Sequence, residues 1–125
     1  MNYLLDTHVV LWWYENPGLL KKEALKAIEN ASNEIFISAT VFWEISIKTS
    51  LGKLSIPNEM LDRILIDFTE LPITSLHARE VGALPSIHQD PFDRLLIAQA
   101  KIENMTLITR DRYIIKYKGL QFLEA

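Results

Sequence analysis

Asp6, Glu44, Asp93 and Asp111 stand far apart in the chain, yet each adjoins or interrupts an apolar run. Asp6 follows Tyr3-Leu4-Leu5, Glu44 follows Val41-Phe42-Trp43, and Asp111 follows Leu107-Ile108-Thr109-Arg110. Asp93 precedes Leu96, Ile97 and Ala100 at helical spacing. An uncompensated charge in such surroundings is costly. If the four converge, each pair of carboxylates about 4 Å apart repels by roughly 4 kcal/mol at an effective dielectric near 20. A divalent cation would relieve that repulsion, and oxygen-only ligation selects Mg²⁺ or Mn²⁺ over zinc. Such an ion binds phosphates, polarises phosphorus and acidifies water, which is the equipment for phosphodiester hydrolysis.

Each acid also has an ordinary structural reading. Asp6 sits where a strand hands over to a helix and can cap it. Glu44 can pair with Lys48 one turn on, although Val41, Ile47 and Leu51 are expected on its side of the helix. Asp93 occupies the third helical position after an Asp90 cap, where acids interact well with the helix dipole. Asp111 lies between Arg110 and Arg112 and fits a turn or a local ion pair. Taken together, the four favour a shared site over four separate accidents.

The elements that must position them follow from periodicity. Residues 2 to 5 read as a buried strand, followed by a helix from Thr7 to Tyr14. Leu20, Ala24, Ala27, Ile28 and Ala31 recur at helical spacing. Glu34 to Ser38 reads as a strand, with a helix from about Ala39 to near Gly52 and another from Asn58 to Phe68. Leu71-Pro72-Ile73 is a weaker strand candidate, followed by a helix over 76–84. Asp90-Pro91 supplies a cap and a first-turn proline for a helix reaching about Asn104. Strands at 106–109 and 119–123 complete the pattern. Alternation of short strands and helices predicts right-handed crossovers and a mostly parallel sheet, whose ligand sites lie at the carboxyl ends of strands. Asp6 and Asp111 fall at two such ends.

At 125 residues and 49% hydrophobic content, the chain suits one domain with a substantial core, spanning residues 1–125. The absence of cysteine excludes disulfides and thiolate metal sites. No basic leader or membrane-length apolar run opens the sequence, so a soluble cytoplasmic protein without membrane attachment is expected. A net charge of −3 argues against nucleic-acid binding by bulk electrostatics. It leaves room for a nuclease, since Arg110, Arg112, Lys116 and Lys118 form a basic stretch that is either a substrate contact or a solvated face. Trp12, Trp13 and Tyr14 are consecutive on a helix, where neighbours diverge by about 100°, so at least one ring should be partly exposed. That aromatic surface is either a partner's docking site or a wide buried face.

The chain resembles the PIN-domain ribonucleases of VapC type, the toxins of type II toxin–antitoxin pairs. The resemblance runs over nearly the whole length and rests on Leu4-Leu5-Asp6-Thr7-His8, on Trp43-Glu44-Ile45-Ser46-Ile47-Lys48 with Leu51-Gly52-Lys53-Leu54, on His88-Gln89-Asp90-Pro91-Phe92-Asp93-Arg94-Leu95-Leu96-Ile97-Ala98-Gln99-Ala100, and on Leu107-Ile108-Thr109-Arg110-Asp111. It implies a PIN-like three-layer α/β/α fold with a central, mostly parallel sheet. It also implies Mg²⁺ or Mn²⁺ held by Asp6, Glu44, Asp93 and Asp111, which would be the catalytic acids, and hydroxyl contacts from Thr7 and Thr109 to phosphate or water. Further implications are cleavage of RNA, inhibition by a cognate antitoxin, and a homodimer or a hetero-oligomer with that antitoxin. Arg94 is a candidate contact to substrate phosphate, whereas Asp90 is read as a helix cap and His88 as a loop histidine.

Two alternatives share the fold: a DNA or structure-specific nuclease, and a catalytically silent scaffold binding RNA or protein. A response-regulator-like domain would need an acidic pair before its phosphoacceptor strand, and an Asp-x-Asp phosphatase would need an acid where His8 stands.

Overall fold

The computed structural model describes residues 1–125 and arranges them as a five-stranded, all-parallel sheet flanked by helices. The strands are β1 (Asn2–Leu5), β2 (Glu34–Ser38), β3 (Thr69–Leu71), β4 (Thr106–Thr109) and β5 (Phe122–Glu124), in the order β3-β2-β1-β4-β5. The helices are α1 (Thr7–Glu15), α2 (Lys22–Glu29), α3 (Ala39–Ser50), α4 (Asn58–Asp67), α5 (Ser75–Ala83) and α6 (Pro91–Glu103). This is the α/β/α arrangement expected from the alternation of elements. None of the helices is long and apolar enough to cross a membrane.

The central strands are apolar because both faces of a parallel sheet are covered. Leu4 and Leu5 of β1, and every residue of β4, are buried. Around them pack Val9 and Val10 of α1, Val41 and Ile45 of α3, and Leu96 and Ile97 of α6. Trp12, Trp13 and Tyr14 divide the cost of a crowded helix face. All three rings are half-buried against the core, with Trp13 and Tyr14 meeting Phe68 edge-on at 6.3 Å.

Boundaries differ from expectation where side chains compete with periodicity. The third strand is Thr69–Leu71 and not 71–73, because Pro72 brings no N–H to a ladder. The last strand begins only at Phe122; Leu120 is buried as a loop anchor ahead of it. Leu51, expected beside Glu44, lies past the end of α3 and is 63% exposed.

A buried polar knot ties the helices that carry the acids. Gln99 Oε1 accepts hydrogen bonds from Ser38 Oγ and Thr40 Oγ1, while its Nε2 donates to the Pro72 carbonyl at 3.3 Å. Gln99 thereby joins α6 to the β2–α3 junction. Next to it, His77 and Thr74 cap α5 reciprocally, and His77 Nε2 reaches Glu103 at 2.8 Å. Gln99→Leu would leave the Ser38 and Thr40 hydroxyls facing an apolar group. Each orphaned buried group costs about 1–3 kcal/mol, so that variant should melt well below wild type in a thermal scan.

Candidate active site

In a parallel sheet all carboxyl ends share one edge, and the order β2-β1-β4 places β1 between the strands that introduce Glu44 and Asp111. Asp6 is the first residue after β1. Its carboxylate accepts a bond from Thr109 Oγ1 at 2.8 Å and makes no cap bond to α1. The simple capping role is thus set aside, and the acid faces the sheet edge. Asp6 is buried, and burial pushes its pKa up, opposed by the Thr109 hydrogen bond.

Glu44 lies within α3 and is also buried. Thr7 Oγ1 donates to its Oε1 at 2.6 Å, and Lys48 Nζ donates to Oε2 at 2.5 Å. The Glu44–Lys48 pair expected of a helix surface exists here with one partner out of solvent. That hydrogen bond raises the Lys48 pKa, and burial works against it.

Asp93 stands in the first turn of α6, whose N-terminus Asp90 caps by accepting from Phe92 N at 2.8 Å and Asp93 N at 3.1 Å. The cap frees Asp93 to face inward. Burial first, and then the charges of Asp6, Asp90, Asp111 and Glu44, push its pKa up to about 8. Asp111 is the second residue of the loop after β4 and is half-buried. Its Oδ1 accepts from the backbone N–H groups of Tyr113 and Ile114 at 2.8 and 3.1 Å, and its own N–H donates to Thr109 Oγ1 at 3.0 Å. The turn role and the site role therefore coexist.

His88 belongs to this cluster, which its reading as a loop histidine missed. Its Nε2 lies 2.8 Å from Asp93 Oδ2 and 3.2 Å from Asp111 Oδ2. Asp90 N–H points at Nδ1 from 3.3 Å, which makes Nδ1 the acceptor and places the ring proton on Nε2. His88 is then a donor bridging two acids from different elements. Its spacing from the Asp90 cap was the one available signal.

Arg94 is placed differently from the expectation of a phosphate contact. Its guanidinium donates to the carbonyls of Val81 at 2.9 Å, Pro85 at 3.0 Å, His88 at 3.3 Å and Leu84 at 3.4 Å, and to the Tyr117 hydroxyl at 3.3 Å. It gathers the α5–α6 loop and so holds His88. Arg94→Lys cannot reproduce this fork. With hydrogen bonds to charged groups contributing about 1.5–3 kcal/mol each, the variant should lower the melting temperature by several degrees, with faster proteolysis at residues 84–89. Thr7 and Thr109 are likewise engaged with carboxylates, each orienting one acid.

The donor set fits a hard divalent cation. It is rich in carboxylate oxygen and contains no thiol. Lys48 and His88 are the basic side chains in contact with the four acids. Burial first, and then the neighbouring acids, push the pKa values of Asp6 and Asp93 up.

The PIN domain family model matches residues 3–120. The chain belongs to the PIN-domain family and is of VapC type. It is 33% identical over 119 residues to Ribonuclease VapC22 of Mycobacterium tuberculosis, spanning 92% of this chain and 91% of that one. Among solved structures, VapBC2 from Rickettsia felis bound to a promoter DNA fragment gives a TM-score of 0.77 at 21% identity, covering 99% of this chain and 98% of the other. DNA-bound VapBC from Salmonella typhimurium gives 0.75 at 16% identity with the same coverage. At these identities the structural likeness is one of fold.

Proposed function

We propose that the chain, acting as one PIN domain, is a metal-dependent endoribonuclease and the toxin of a VapBC pair in the cytoplasm, held inactive by a cognate antitoxin. The observation that carries this reading is a group of donor atoms from His88, Asp93 and Asp111 within 4.8 Å of one another, with Asp6, Glu44 and Asp111 near enough for their charges to act on Asp93. Membership of the VapC type and the identity to a named ribonuclease support RNA as the substrate.

Asp6, Glu44, Asp93 and Asp111 would hold Mg²⁺ or Mn²⁺. Bound there, such an ion would supply charge neutralisation at the phosphate and a more acidic water. The chain's part is preorganisation. Thr109 and Thr7 hold Asp6 and Glu44, Lys48 fixes the other Glu44 oxygen, and His88 holds Asp93 and Asp111 together. Carboxylates oriented in this way need no rearrangement when a phosphodiester arrives. Arg94 contributes by positioning the His88 loop. A homodimer, or a hetero-oligomer with the antitoxin, is the assembly most consistent with VapBC neighbours.

Purified protein, free of any partner, is expected to cut labelled RNA with Mg²⁺ or Mn²⁺ and to be silent in EDTA or as Asp6→Asn. Preference for matched DNA oligonucleotides would reject the RNA assignment. Retention of every cellular effect by Asp6→Asn would point to a silent scaffold.

A further inference from the structure

A cavity of about 260 Å³ opens directly beside the acids. Asp6 and Asp111 form one wall, and His8, Trp12 and Arg110 form the rest. Nothing in the acid cluster requires the second wall, and its composition is distinctive. His8 is exposed at the start of α1 and leans on Trp12, with ring centroids 5.8 Å apart and planes 34° apart. Arg110 lies over the Trp12 ring, its guanidinium carbon 4.5 Å from the centroid.

Arg110 is held in place by main-chain oxygens. Its Nε donates to the Ala125 oxygen at 2.9 Å, and Nη2 reaches the Ala125 and Leu19 oxygens. Nη1 makes no hydrogen bond, and the guanidinium pairs with neither of the two aspartates that line the same cavity. Three anchors, two main-chain oxygens and an aromatic face, keep the guanidinium from collapsing onto the nearest side-chain acids. A guanidinium fixed in this way, with a donor to spare, suits an incoming oxyanion. The flat rings beside it suit a base, since every nucleobase has a face that stacks on an aromatic side chain.

We propose that this cavity is a nucleotide subsite for single-stranded RNA: Arg110 takes a phosphate next to the scissile one, and the base of that nucleotide lies against His8 and Trp12. Register along the strand is then set by the Arg110 side of the cavity. The subsite rests on the proposed RNA cleavage and adds the residues that would seat the strand. Of the basic stretch that begins at Arg110, it is Arg110 that lines this cavity.

The test is binding of a short fluorescein-labelled single-stranded RNA of mixed sequence, followed by anisotropy over a range of salt. Glu44→Gln serves as the cleavage-silent parent, because Glu44 does not line the cavity. Arg110→Gln should weaken binding and lower the salt slope by about 0.7, the loss of one single-strand phosphate contact. His8→Ala should weaken binding about tenfold with the slope unchanged, the mark of lost stacking. Should Arg110→Gln fail to fold, exposed His8 still decides the matter. Variants that fold and bind as the parent does, with the parent's salt slope, would overturn the subsite while leaving cleavage by wild type intact. A parent that does not bind, together with wild-type protein that does not cut RNA, would overturn the subsite and the ribonuclease reading at once.

Discussion

Asp93→Asn is expected to lose RNA cleavage by about a hundredfold or more, the scale seen when one electrostatic partner of a transition state is removed, and to remain folded. The asparagine keeps an oxygen that can accept from His88 Nε2, so the contact that joins α6 to the loop after β4 survives. What disappears is an ionisable group buried among Asp6, Asp90, Asp111 and Glu44. The same substitution should therefore change how stability depends on pH. Burial and the neighbouring acids push the Asp93 pKa up to about 8, from an ordinary 3.8. Between those values the folded state holds a proton that the unfolded state has lost, so stability must fall as pH rises from about 4 to 8. Each unit of displacement corresponds to about 1.4 kcal/mol. Screening and relaxation reduce the whole effect to the order of a few kcal/mol. Metal-free wild type should melt several degrees lower at pH 8 than at pH 5, and Asp93→Asn should show a flatter profile. Unfolding of the variant would mark Asp93 as structural, and a flat wild-type profile would remove the argument from crowded charge.

The second large effect is metal itself. A ligand that binds only the folded state stabilises it by about 2.7 kcal/mol when present at a hundred times its dissociation constant. For a chain of this size that is a rise in melting temperature of about 10 °C. Mg²⁺ or Mn²⁺ at millimolar concentration should produce such a rise in wild type, and EDTA should reverse it. The gain should be greatest above pH 8, where the apo site carries its full charge. Asp93→Asn should respond weakly. No shift in wild type at millimolar metal would count directly against a cation site at the four acids, independently of any activity assay.

Much of this architecture was legible in the chain because the strongest signals are local. The Asp90-Pro91 pair announces the start of α6, and the caps and buried runs bracket β1, β2, α1 and α3 within a residue or two. The acids were legible because charge inside an apolar stripe demands a reason. Features that depend on distant partners were not. Leu51 matches the helical period of Glu44, yet α3 ends at Ser50 before that residue can join the face. His88 and Arg94 belong to one loop, and their roles were exchanged. The histidine reaches the acids and the arginine is spent on carbonyls, because the turn after α5 points the first inward and wraps around the second. No periodicity encodes the path of such a loop. Thr7 and Thr109 were read as contacts to phosphate or water, but each has a nearer acceptor in Glu44 or Asp6.

The hydrogen bond from Thr109 to Asp6 spans 103 residues of sequence, and it follows from β4 sitting beside β1. An emerging chain on the ribosome already carries Asp6, Glu44 and Asp93 while β1 still lacks the neighbour that closes its flank. Contacts this remote in sequence form late, after local helices and the β1–β2 pairing. The edge that carries the acids is therefore complete only once β4 lies beside β1.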